Sequence, residues 1–232
     1  VGVNEMSRAF LIGCSHVSGC EIEGFGITHN TPFGLANSFA AQLANKLGYE
    51  PVNLGFPGAS NDYIFRQLFE LYRNNKIAKD DIVFLNWTGA ERIELYDEQQ
   101  NKWLNFSIGM SLTQAEHHDV HREFYKLYVK LLCDAPGQRA ELNKVKNVMA
   151  ANAFAEQNNI KVINHSSFQT APHLGLEKNY KWMRPGSTYM DWAETTIYKK
   201  SAWYHYELGA HTEYADILYQ DIKQRNLLDD AI

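Results

Sequence analysis

Cysteine is scarce in this chain. The three present, Cys14, Cys20 and Cys133, are odd in number and widely spaced. They exclude a disulfide framework and a paired Cys-x-x-Cys metal motif, leave room for one disulfide at most, and fit a reducing compartment best. Long apolar runs are lacking too. None approaches the roughly 18 residues needed to span a bilayer, and the segment ahead of Phe10 has neither the basic start nor the apolar core of a secretory signal. Positive charge is not in excess: the net charge is −5 and there is no basic stripe, which argues against nucleic acid as the main partner. Repeats, low-complexity tracts and linkers are absent, so residues 1–232 are expected to form one domain.

What is present alternates. "SRAFLIGCS" reads as a buried strand, and "TPFGLANSFAAQLANKLGYE" as a helix with Leu35, Phe39, Leu43 and Leu47 four apart, closed by Gly48. "PVNLGF" is a short strand. "PGASNDYIFRQLFELYRNN" turns into a helix capped by Ser60 or Asn61, with Ile64, Leu68, Leu71 and Tyr72 on one face. "DIVFLNWT" is a third strand. Residues 95–116 read as a loop or insertion, and helices are expected over His118 to Asp134 and over about 138–158. "NIKVINHS" is the fourth strand, 165–204 is irregular, and "GAHTEYADILYQDIKQ" closes as a helix. Continuous apolar strands alternating with helices predict a three-layer α/β/α sandwich around a mostly parallel sheet of four or five strands, in flavodoxin-like order.

In such sheets ligands gather beyond the carboxyl ends of the strands. There lie Gly13 to His16, Gly55 to Ser60, Trp87 to Arg92 and His165 to Ser167. Serine is a nucleophile only when a base takes its proton, most often histidine. Ser15 is the candidate. Cys14 beside it on the strand should point the opposite way, into packing. Gly58 precedes a helix start, where free amides and the helix dipole suit an oxyanion. His205 and His211 stand just ahead of the last helix. "EHHDVH" spaces His117 and His121 for one helix face, but zinc needs three or four ligands from more than one element, so no metal is assigned. Arg92 and Glu94 read as a salt bridge for the glutamate, with the arginine left open between structure and ligand contact. Trp182, Trp192 and Trp203 either anchor a long loop or stack on sugar rings.

Together these motifs resemble the SGNH/GDSL hydrolase superfamily, and in particular a divergent bacterial and phage branch. Gly13-Cys14-Ser15 stands where the family has Gly-Asp-Ser. Asn53, Gly55 and Gly58 match its Asn-x-Gly-x-x-Gly run. Ser60, Asn61, Asp62 and Arg66, then Trp87, Thr88, Arg92 and Glu94, follow the branch, and "AWYHYELGAHTEYA" resembles its final motif. The resemblance implies an SGNH fold and a serine ester hydrolase acting on a small-molecule or glycan ester, with acetylated carbohydrate favoured. It implies Ser15 as nucleophile, His205 as base, the Ser15 and Gly58 amides as oxyanion donors, and no metal or organic cofactor. His16, Asn61, Thr88, Arg92 and His211 would line the pocket, His211 as a structural histidine. The expected location is cytoplasmic or virion-associated.

Three positions depart from the pattern. The acid of the family's Asp-x-x-His falls on Ala202, the proline after the base on Tyr206, and the asparagine of its third motif near Ala90, with Asn86, Thr88 and Arg92 close by. A Ser-His dyad, or a carboxylate supplied by Asp191, Glu194 or Glu207, would restore the chemistry. The alternative is a catalytically degenerate binding or structural protein on the same fold, such as a phage particle component contacting glycan.

Overall fold

The computed structural model describes residues 6–26, 30–106, 126–127, 138–168, 179–184, 187–201 and 205–228. Its frame is a parallel sheet of β1 (Arg8–Ile12), β2 (Glu50–Asn53), β3 (Ile82–Trp87) and β6 (Lys161–Ser166), in the order β2-β1-β3-β6. Side chains alternate across each strand, and the sheet has a core on both faces. Ala9, Leu11, Phe84 and Ile163 join Phe39 and Leu43 of α3 (Phe39–Lys46) and Tyr214 and Leu218 of α7 (Leu208–Gln224). Phe10, Ile12, Val83 and Leu85 join Ile64 and Leu68 of α4 (Asn61–Arg73) and Val148 and Ala151 of α5 (Gln138–Gln157). The expected α/β architecture is therefore the observed one. Burial on both faces explains the unbroken apolar runs.

Three local expectations are corrected. The single helix expected from Leu35 to Leu47 is two, α2 (Pro32–Asn37) and α3, broken where Ser38 takes extended backbone (φ −60°, ψ 154°). The Ser38 hydroxyl accepts the Ala41 amide at 3.3 Å and starts the second helix as its cap. The expected loop after residue 95 contains an antiparallel hairpin, β4 (Ile93–Asp97) and β5 (Lys102–Phe106). Leu95, Tyr96 and Trp103 remain exposed, so no buried stripe announces it. Polar contacts hold it instead: Arg66 forks onto Glu94 at 2.7 and 2.8 Å, and the Ser60 amide donates to Asn105 Oδ1 at 3.0 Å. Glu94 thus pairs with Arg66 rather than with Arg92. Finally, the irregular 165–204 stretch contains α6 (Tyr189–Ala193), opened by a capping box in which Thr188 and Asp191 satisfy each other's amides.

Most of the helix expected from His118 to Asp134, and all of "EHHDVH", lie outside the described residues. Among the described residues no His, Cys, Asp and Glu side chains cluster as a metal site would require. No described helix is long and apolar enough to cross a membrane.

Candidate active site

The carboxyl ends of β1 and β2 are tied together before any ligand is considered. Asn53 ends β2, and its amide nitrogen reaches the Val17 and Leu35 carbonyls at 2.8 Å and Ser38 Oγ at 3.0 Å, while its Oδ1 accepts the Gly55 amide at 2.9 Å. Gly55 must be glycine: a Cβ there would lie 2.5 Å from the Ser18 backbone nitrogen. The Phe56 amide then donates to the Gly13 carbonyl at 2.9 Å. Ser15 opens the short helix α1 (Ser15–Ser18) and is 6% exposed. Gly58 has left-handed backbone (φ +77°) with open space where a Cβ would be. Neither the Ser15 amide nor the Gly58 amide has an acceptor among the described residues.

After α1 the chain turns through Gly19 to Glu21, which itself takes left-handed backbone (φ 62°). For a residue with a side chain that conformation costs about 1 kcal/mol or more, and such strain gathers at functional sites. Glu21 is buried, 3% exposed, in a mostly apolar stretch. Its carboxylate is filled with donors. Oε1 accepts the Gly26 amide at 2.7 Å, and Oε2 accepts the Ser201 hydroxyl and His205 Nδ1, the latter at 2.7 Å. Burial pushes this carboxyl up, but the hydrogen bonds from Ser201, Gly26 and His205 outweigh it and hold it below the usual range. Burial and the His16 ring push His205 down to about 4 against the pull of Glu21, so the ring is neutral near pH 7. A carboxylate on Nδ1 fixes the proton there and leaves Nε2 with its lone pair, the tautomer a general base needs.

The His205 ring stands edge-on to the ring of His16, the residue after Ser15, with centroids 5.5 Å apart. His16 also packs on Tyr189 (4.9 Å) and Phe168 (5.4 Å), and its Nδ1 lies 3.8 Å from Cys14 Sγ. Cys14 is fully buried. Burial raises its thiol, but the His16 hydrogen bond and the His16 and Arg92 charges bring it down to about 5. The Arg92 guanidinium lies over the Phe168 ring at 5.2 Å and near the Ala59 carbonyl at 3.5 Å.

Other expected pocket residues are spent on holding the frame. Asn61 is wholly buried; its Oδ1 accepts the Thr88 amide at 2.9 Å and its Nδ2 donates to the Gly89 carbonyl at 3.1 Å. That latch fixes the Thr88 backbone, whereas the buried Thr88 hydroxyl has no hydrogen-bond partner among the described residues. His211 is buried, and its Nδ1 accepts the Phe39 amide at 3.1 Å. Asn86 Nδ2 donates to Ser167 Oγ (2.7 Å) and its Oδ1 accepts from His165 Nδ1 (2.6 Å), while the Tyr214 hydroxyl donates to His165 Nε2 at 2.7 Å. Asn86 is buried within this network.

The carboxylate expected from Asp191, Glu194 or Glu207 comes from none of them. Asp191 is committed to the α6 cap, Glu194 is exposed, and Glu207 accepts the Lys199 amide at 3.3 Å. Glu21 holds His205 instead, from 184 positions away. A signal for it exists in the chain: Glu21 and Glu23 are the two carboxylates in a stretch otherwise short of charge.

No family model matches the sequence, and no curated protein does. Solved structures do. A protein of Desulfitobacterium hafniense DCB-2 described as lipolytic and of the G-D-S-L family is 13% identical over 93% of this chain and 99% of its own, with a TM-score of 0.51. The fold is that of an SGNH hydrolase. An acetyl xylan esterase of Butyrivibrio proteoclasticus is likewise 13% identical, with a TM-score of 0.53 over 98% of this chain and 66% of its own.

Proposed function

We propose that this protein is a serine ester hydrolase of the SGNH type, with Ser15 as nucleophile, His205 as base and Glu21 positioning that base. The buried Glu21–His205 hydrogen bond, beside the turn that carries Ser15, is the observation on which this reading rests. Ser15 Oγ attacks the ester carbonyl carbon and its proton passes to His205 Nε2. Glu21 stabilises the imidazolium that results. The Ser15 and Gly58 amides face the developing oxyanion. As the carbonyl carbon–alkoxy oxygen bond breaks, His205 returns the proton to the leaving alcohol. Water then attacks the acyl-serine, giving its proton to His205; as the acyl carbon–Oγ bond breaks, His205 returns that proton to Ser15 and the carboxylic acid leaves. The structural likeness to an acetyl xylan esterase supports an ester of a carbohydrate as substrate.

The reading as a degenerate binding protein draws on the missing carboxylate at Ala202, and Glu21 meets that need from another part of the chain. The test is incubation with p-nitrophenyl acetate and with a serine-reactive fluorophosphonate. The protein is expected to hydrolyse the first and to be labelled at Ser15 by the second, and Ser15→Ala to do neither. A wild-type protein that neither hydrolyses nor labels would overturn the hydrolase reading.

A further inference from the structure

Arg92 follows β3 and overhangs the candidate site. Its guanidinium is buried under the chain: the side chain is 14% exposed, and Nε is shielded from solvent with no hydrogen-bond partner. Among the described residues the group makes one hydrogen bond, from Nη1 to the Ala59 carbonyl, at the long distance of 3.5 Å. The nearest carboxylate oxygen, Glu91 Oε1, is 3.7 Å from Nε, too far for a hydrogen bond. A guanidinium carries five donors in a planar fork suited to a carboxylate, and buried cations are normally paired. This one has a loose ion pair with Glu91 at 3.7 Å and one long hydrogen bond, and its Nε makes none.

A chain of ring contacts connects the guanidinium to the candidate site. Phe168 lies beneath it at 5.2 Å, the Phe168 ring is 5.4 Å from His16, and His16 is 5.5 Å from His205. On the other side, Ala59 follows Gly58 directly. A second cation, Lys144, is buried nearby, donating to Ser166 Oγ at 3.2 Å. Arg92 is close enough to His205 and Cys14 for its charge to act on both. A permanent cation beside a base that must become imidazolium is unfavourable; Glu91 and Cys14 offset part of that, and a negative group on the substrate would offset more.

We infer that Arg92 receives an anionic group carried by the substrate beside the scissile bond, which makes this a site for carboxylate-bearing esters. This rests on the hydrolase reading for its chemistry, but not for its test. The Ser15→Ala variant, which cannot turn over, is titrated calorimetrically with two matched pairs. For a carboxylate on the alcohol side, 4-acetoxybenzoate is compared with 4-acetoxybenzamide; for one on the acyl side, phenyl hemiglutarate with phenyl glutaramate. At least one anion should bind about tenfold or more tightly than its amide, as a charge-assisted fork requires. Adding Arg92→Gln should erase the difference, and adding Arg92→Lys should keep part of it. Unchanged circular dichroism and melting show that the variants remain folded. Equal binding within both pairs, no binding of any, or a preference that survives Arg92→Gln would overturn the proposal. Fluorophosphonate labelling of the wild type decides the hydrolase reading separately, so the two can fail independently.

Discussion

Glu21→Gln is the substitution that asks most of the proposed chemistry. It preserves volume and removes one charge, but the hydrogen-bond pattern around it cannot be kept. Both carboxylate oxygens accept: Oε1 from the Gly26 amide, Oε2 from Ser201 and His205 Nδ1. An amide has one acceptor. With its NH2 toward Gly26, two donors face each other. With its NH2 toward His205, Nδ1 must accept, the proton moves to Nε2, and the ring can no longer take the serine proton. The charge matters as well. Two unit charges about 4 Å apart interact by about 4 kcal/mol at the effective dielectric of a protein, and that stabilisation of the imidazolium is lost. At about 1.4 kcal/mol per decade this is a factor of about 10³ in kcat, rising toward ~10⁴ if the tautomer is inverted. The assay is steady-state hydrolysis of p-nitrophenyl acetate, with a melting curve showing that the variant is folded. The loss should fall on kcat more than on KM. A folded Glu21→Gln retaining activity within about tenfold of wild type would refute the positioning role.

The pH profile of kcat/KM should fall on the acid side with an apparent pKa near 4, where burial and the His16 ring have put His205; a midpoint near 6.5 would contradict the buried base. Acid stability follows from the same physics. Burial brings His205 down to about 4 and His165 and His211 to about 3. The unfolded chain therefore takes up these protons first, from about pH 6.5 downward. Stability from the three is complete above that pH and is lost as pH falls toward 3, at about 4 kcal/mol per pH unit near pH 5; urea melts across pH 4–7 would measure it. Gly58→Ala meets no neighbour but is held at φ +77°, so it should cost about 1 kcal/mol in chemical denaturation. Asp81→Asn should cost more, about 2–3 kcal/mol, because that buried carboxylate accepts from the Arg8 and Ala78 amides and pairs with the Arg8 guanidinium at 2.7 Å.

Much of the frame is legible along the chain because burial on both faces writes each parallel strand as an apolar run. The β4–β5 hairpin is not, since ion pairs and side-chain amides fasten it rather than an apolar stripe. The break at Ser38 hides for a related reason: Leu35, Phe39, Leu43 and Leu47 keep helical spacing across it, although Ser38 itself is a good cap. Ser15, Gly58 and His205 can be picked out because strand ends and helix starts are where such groups gather. Glu21 cannot be assigned that way. Sequence proximity directs the search for an acid to the neighbours of His205, whereas the fold brings it from the other end of the chain.

That placement divides the site unevenly. The proposed nucleophile and the carboxylate lie within one seven-residue stretch leaving β1, so little chain separates them. The histidine alone must arrive across a gap of 184 positions. By chain separation that is the costliest closure of the three, and the docking of Ser201 and His205 on Glu21 completes the site. A chain in which only that segment is loosened would keep two-thirds of its machinery in place and have no base to run it.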